Sequence, residues 1–85
     1  MLMAERRSTD IVNNAGGVMT DEVGVITGEL TLVSELTDDT VLLRVQYKEA
    51  DEWYTVTNGS CRLKDTADLD AAHQLAVGLL DREAG

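Results

Sequence analysis

Between Glu29 and Leu63 apolar and polar residues alternate closely enough to set the phase of a run of β-strands. Successive side chains of a strand point to opposite sides, so Leu30, Leu32, Ser34 and Leu36 share one face while Thr31, Val33 and Glu35 share the other. Pairing Leu36 with Val41 across Thr37-Asp38-Asp39-Thr40 adds Val41, Leu43, Val45 and Tyr47 to the first face, which is then apolar at every position except Ser34. A loop at Glu49-Ala50-Asp51-Glu52 sets Tyr54 opposite Tyr47 and Val56 opposite Val45. Asn58-Gly59 is the strongest short hairpin signal in the chain, because a type I′ turn needs positive φ at both central residues. That turn pairs Val56 with Cys61 and Tyr54 with Leu63. Three separate turn assignments converge on one apolar face, whereas a one-residue slip would move a strand's apolar set to the other side.

After Leu63 the period changes. Asp65 or Thr66 can accept hydrogen bonds from the first-turn N–H groups of a helix, and Asp68 and Asp70 place negative charge at its positive end. Leu69, Ala72, Ala76, Leu79 and Leu80 fall within one helical stripe, with Leu75 and Val77 at its flanks, and that stripe is expected to cover the sheet. Upstream, Asn13-Asn14-Ala15-Gly16-Gly17 reads as a turn or flexible loop between Ile11-Val12 and Val18-Met19, either of which suits a short strand. Gly24 and Gly28 mark a bulge or a close backbone approach. Residues 1–10 are polar and aperiodic, so they are expected to form a disordered tail. The pattern predicts an α+β fold: a four-stranded antiparallel meander, with or without an extra short N-terminal strand, and one C-terminal helix packed across one face. Residues 11–85 are expected to form a single domain, since 85 residues are too few for two independent cores.

Composition narrows the function classes. With no Phe or Pro, one Trp and two Tyr, the interior must be aliphatic, which weakens any reading built on a deep aromatic ligand pocket. Sixteen acidic residues against seven basic ones give a net charge of −9, repelling nucleic acid and anionic membranes on average. The distribution is uneven: Asp21, Glu22, Glu29, Glu35, Asp38 and Asp39 are unaccompanied by any cation in residues 21–40, whereas residues 41–64 carry Arg44, Lys48, Arg62 and Lys64. A single cysteine excludes an intramolecular disulfide and fits a reducing compartment. Charged residues interrupt the N-terminus before a signal-length apolar run develops, and no stretch approaches about 18 consecutive apolar residues, so a cytoplasmic protein without membrane contact is expected.

Residues with chemical potential are few. His73 is the only histidine, lies at the border of the helical stripe, and is expected to be a partly exposed helical residue. Cys61 is expected to point its thiol into the core, where it would be inert. Thr37-Asp38-Asp39-Thr40 lacks the spacing of a calcium loop, and the glycines form neither a dinucleotide fingerprint nor a phosphate loop. No catalytic set, metal or cofactor is therefore expected. The distinctive feature is the outer sheet face, where the register projects Arg44, Gln46, Lys48, Trp53, Thr55, Thr57, Arg62 and Lys64, beside Val33, Glu35 and Leu42. Cations around an aromatic suit single-stranded nucleic acid, and equally suit a cation–π cluster on a solvated sheet.

The layout of four antiparallel strands followed by a helix resembles that of the single-stranded-DNA-binding transcriptional coactivators, which dimerise and use their sheets. The resemblance is one of layout; no motif carries it, and it assigns no residue here. The expectation from residues alone is a non-enzymatic, homodimeric protein-interaction module contacting its partner through Val33, Leu42, Arg44, Lys48, Trp53, Arg62 and Lys64. The alternatives are a single-stranded nucleic-acid or polyanion binder using the same face, and an acidic inhibitor or immunity-type protein for a basic partner.

Overall fold

A computed structural model describes residues 4–83. It contains β1 (Ala4–Thr20), β2 (Gly24–Thr37), β3 (Thr40–Tyr47), β4 (Tyr54–Arg62) and α1 (Leu69–Leu80). The four strands are antiparallel and sequential in one sheet, which curls until β1 meets β4 at Thr20 and Val56. The α+β architecture of four antiparallel strands and a C-terminal helix is as the pattern predicts, but the four strands are distributed differently along the chain.

The hairpin of β2 and β3 has the expected register: Leu36 opposes Val41, Leu32 opposes Val45 and Leu30 opposes Tyr47. Asp38 occupies the left-handed region at the tip, with φ of 56°, as an Asp in a tight turn tolerates. The next connection is longer than predicted, running from Lys48 to Trp53, with Glu49 at φ 70°. Tyr54 consequently opposes Val45 rather than Tyr47. A slip of two residues preserves side-chain phase, so Val45 and Val56 are both buried.

Asn58 does adopt positive φ, at 59°, yet no hairpin forms there. Residues 54–62 are one strand, and the extra residues between Thr55 and Ser60 bulge where β3 supplies only Leu43. The positive-φ preference that suits a type I′ turn also suits a bulge. The place left by the missing hairpin is filled at the other end of the chain, where the expected tail is strand from Ala4 onward, in register with β2 as far as Asn13 opposite Gly28. Residues 1–3 of that expected tail lie outside the described residues. The loop read at Asn13–Gly17 is a second wide bulge, after which Val18 resumes pairing with Ile26. Bulges raise local twist and bend the strand that carries them. One in β1 and one in β4 allow four strands to curl round to the Thr20–Val56 seam.

The β1 bulge also receives the C-terminus of α1. Asn13 is fully buried and satisfies every polar valence of its amide. Its Nδ2 donates to Leu80 O at 2.9 Å and Gly17 O at 3.2 Å, while Oδ1 accepts from Gly17 N at 2.9 Å and Ala15 N at 3.2 Å. A terminal helix carbonyl that would otherwise lack a partner is thereby capped. The chain then runs alongside β1: Arg82 N donates to Val12 O, Asn14 N donates to Arg82 O, and Val12 N donates to Asp81 Oδ1. At the other end, Asp65 Oδ1 accepts from Ala67 N at the 3-10 turn Thr66–Asp68 that precedes α1.

The core lies between the curled sheet and α1. Ile11, Val18, Ile26, Leu30, Leu32, Val45, Val56 and Ala76 form its larger part, and Leu36, Val41 and Leu69 a smaller one. α1 packs over β1 and β2 rather than across the whole sheet. Its buried stripe is Leu69, His73 and Ala76, joined by Val77 and Leu80. This is a rotation from the predicted stripe that brings His73 to the centre and turns Leu75 and Leu79 outward.

Candidate functional site

The outer sheet face is less open than its sequence suggests. Trp53, in the connection before β4, joins Arg6 of β1 and Val33, Glu35 and Arg44 in lining a pocket of about 240 Å3. The Arg6 guanidinium carbon lies 5.6 Å from the Trp53 ring centroid, a cation–π contact. Arg44 Nε is 2.6 Å from Glu35 Oε1; the buried Nε makes no directed hydrogen bond, so the contact is Coulombic. Val33, expected on the partner-binding surface, is only 1% exposed. The correction follows from β1, expected to be tail, which pairs Ser8 with Val33 and places Arg6 at the same pocket.

The remaining expected surface residues do not assemble into one basic patch. Leu42 is half-buried, opposite Glu35 and Ser60. Lys48 Nζ is 4.0 Å from Asp10 Oδ2. Arg62 donates from Nη2 and Nε to Asp39 Oδ2, at 2.7 and 3.1 Å, and lies with Lys64 around a separate depression near Leu63 and Thr66. The Arg62 guanidinium holds the Asp39 carboxyl below its ordinary pKa. Sequence proximity gathered these cations; the bulge in β4 and the end of the sheet separate them.

The acidic turn between β1 and β2 is structural. Glu22 accepts from Thr55 N at 2.7 Å and Thr55 Oγ1 at 2.9 Å, and Asp21 Oδ1 accepts from Thr57 Oγ1 at 2.6 Å. Asp21 N donates to Thr55 O. These bonds fasten the tip of one hairpin to β4 beside the Thr20–Val56 seam. The Thr55 amide lowers the pKa of Glu22, since it bonds the ionised form. Among the described residues no group of three or more His, Cys, Asp or Glu is arranged to hold a metal ion. No helix among them is long and apolar enough to cross a membrane.

His73 is not the partly exposed residue expected from the stripe; it is 8% exposed. Its Nδ1 is 2.8 Å from Ser34 Oγ, and its Nε2 is 2.8 Å from Thr9 Oγ1. The two hydroxyls, which can each donate or accept, satisfy both ring nitrogens and make burial tolerable. Desolvation lowers the imidazole pKa, with Arg7 adding to the effect and Asp70 opposing it. Ser34 is fully buried, so this serine–histidine contact is sealed from solvent and lacks the access that a nucleophile requires. Thr9 lay in the expected tail, which concealed the berth from the sequence.

Opposite these polar anchors lies an open apolar surface. Because α1 covers β1 and β2, the β3 and β4 side of the inner face is left with a groove of about 260 Å3, lined by Val41, Leu43, Cys61, Ala72, Leu75 and Leu79 among others. Leu75 is 66% exposed and Leu79 63%. Cys61, expected in the core, is exposed at this groove. It opposes Val41 instead of Val56, on the groove side of β4. Leu79, expected within the stripe that covers the sheet, and Leu75, expected at its flank, are both exposed instead. Comparison with protein-family models, characterised proteins and solved structures gives no match.

Proposed function

We propose that this protein is a non-enzymatic interaction module that holds an apolar segment of another protein in the groove beside α1. The observation that carries the reading is the exposure of Leu75 and Leu79 at a groove whose lining is mostly aliphatic, with Asn58 and Ser60 among its polar members. Large apolar side chains grouped beside a cleft are a feature of docking surfaces, whereas scattered exposed leucines are not. The occupant is a basic amphipathic helix. No charged side chain lines the groove, Asp65 and Asp68 precede one end of α1, Asp81 and Glu83 follow the other, and the chain as a whole carries −9. A cationic segment gains from that field; an acidic one is repelled.

The nucleic-acid alternative draws less support from the geometry, because Arg44, Lys48 and Arg62 each face a carboxylate and Trp53 lies against Arg6. The test uses a fluorescent cationic helical peptide with leucines at i, i+3, i+4 and i+7, and an anionic peptide with the same apolar face. The native protein is expected to bind the first in preference to the second, and Leu75→Glu with Leu79→Glu to abolish binding. Equal binding of both peptides, or undiminished binding by the double variant, would refute the assignment.

A further inference from the structure

β1 has an unused edge. Val12 directs both its N–H and its carbonyl away from β2, to Asp81 Oδ1 and Arg82 N. Backbone groups alternate between the two edges of an antiparallel strand, so Asp10, Ser8, Arg6 and Ala4 direct theirs the same way. Arg82 covers this edge only at Val12 and Asn14. From Ala4 to Asp10 no other strand among the described residues pairs with it; the sole bond recorded there is from Arg7 Nη1 to Arg6 O. A row of unpaired donors and acceptors is a template for another strand.

The side chains along the edge select the occupant. Residues 4–10 carry Glu5, Arg6, Arg7 and Asp10, a balanced set in a chain of net charge −9. For two copies meeting antiparallel, edge-facing residues must oppose edge-facing residues, which limits the registers. Centring the pair on Arg6 opposes Arg6 to itself, and centring it on Arg7 opposes Arg7 to itself. Centring it on Ser8 opposes Arg6 to the partner's Asp10, Asp10 to the partner's Arg6 and Ser8 to the partner's Ser8, with no like charges facing. Among the described residues Arg6 has no carboxylate within ion-pairing distance, and its guanidinium lies over the Trp53 ring. Asp10 accepts from Thr31 Oγ1, and Lys48 Nζ stands 4.0 Å from its Oδ2, beyond hydrogen-bond distance, so that oxygen keeps lone pairs for the partner's Arg6.

We infer that the protein dimerises by antiparallel pairing of β1 with β1 of a second copy about a two-fold axis at Ser8, joining two four-stranded sheets. Three narrow pairs, each exchanging two backbone hydrogen bonds, and two Arg6–Asp10 ion pairs form the contact. The pairing stops where Arg82 already occupies the edge at Val12. It leaves the α1 groove open and does not depend on the groove's proposed role.

Sedimentation velocity from micromolar to millimolar protein tests it. The native chain is expected to dimerise, and Arg6→Asp or Asp10→Arg alone to weaken dimerisation by about tenfold or more, since each change acts twice across the axis. Combining both exchanges the charges and is expected to restore the dimer. Ser8→Pro removes the central donors and is expected to abolish it, with far-UV circular dichroism verifying the fold. A monomer throughout the range would overturn the inference. So would a dimer indifferent to the charge variants, or one that Leu75→Glu dissociates while they do not.

Discussion

Replacing Asn13 by Ala deletes one small side chain and breaks four hydrogen bonds at once. The two at 2.9 Å tie Leu80 O and Gly17 N; the two at 3.2 Å tie Gly17 O and Ala15 N. A net contribution of about 1 kcal/mol for each shorter bond and about half that for each longer one totals roughly 3 kcal/mol. Water can reach part of the vacated site, because Ala15, Gly17 and Leu80 are only half-buried, so the penalty for stranded backbone groups does not add in full. An 85-residue domain has a total stability of about 4–13 kcal/mol, so this one amide accounts for a large share. At about 4–8 °C per kcal/mol, the midpoint of thermal unfolding falls by roughly 12–24 °C.

Urea unfolding followed by circular dichroism and by Trp53 fluorescence measures the loss, and an unchanged m-value shows that stability alone has moved. Two comparisons isolate the cause. Asn13→Asp keeps the shape and both acceptor positions but aims a carboxylate at Leu80 O and Gly17 O, so it is expected to cost at least as much as Ala. Asn14→Ala alters an exposed neighbour and is expected to stay within about 0.5 kcal/mol of the native protein. A loss below about 1 kcal/mol for Asn13→Ala, or a native-like Asn13→Asp, would show that the amide does not hold the bulge to the helix.

Gly17→Ala is expected to cost more than about 2 kcal/mol in the same assay, because φ is +75° and a Cβ would lie 2.4 Å from Val25 Cγ1 and 2.8 Å from Ile26 O; Gly16→Ala, facing open space, is expected to cost about half as much. For Glu22 the folded pKa is lowered, so its stabilisation is present above the ordinary carboxylate range and is lost as pH falls through the folded value. A urea midpoint measured from pH 7 to pH 3 is expected to fall less steeply for Glu22→Gln, and identical slopes would count against the clasp on Thr55. His73 is lowered too, so protons bind the unfolded chain first: stability is complete above the ordinary imidazole pKa and declines as pH drops below it toward the lower folded value. Histidine NMR titration should find the folded pKa below that of the urea-unfolded chain, and Ser34→Ala with Thr9→Val should abolish the two ring contacts while leaving Arg7 and Asp70 in place.

How legible the fold was depended on the range of each signal. Alternation between Leu30 and Tyr47 reports a local physical fact, the pleat, and it fixed the β2–β3 register to the residue. The positive-φ tendency at Asn58 was equally local and is present in the structure, but a turn and a bulge make the same demand on φ. Which one forms depends on whether a partner strand waits beyond it. That partner is β3, whose Thr40, Val41 and Leu42 pair with Arg62, Cys61 and Ser60. The first residues of β1, Ala4 to Asp10, have no apolar alternation because the face they present to α1 carries Glu5, Arg7 and Thr9 in place of aliphatic side chains. A strand that meets a helix through a hydroxyl and surface ion pairs looks like a tail in sequence.

The candidate site shows the same dependence. Treating residues 4–10 as tail removed Thr9 from view, and with it the reason for a histidine at the centre of the helical stripe. His73 centred on Thr9 and Ser34 orients α1 so that Leu69, Ala76 and Leu80 face inward, and geometry then requires Leu75 and Leu79 to face out. The exposed groove is thus a consequence of a buried polar contact on the opposite side of the helix. Likewise Arg6, lost with the tail, is the residue that shares a pocket with Val33, contacts Trp53 and, among the described residues, carries a charge on the β1 edge that no carboxylate pairs. The surfaces proposed for binding follow from how β1 is paired, and the sequence encodes that pairing in β2, whose Leu30, Leu32 and Ser34 need a partner on each side to be buried as completely as they are.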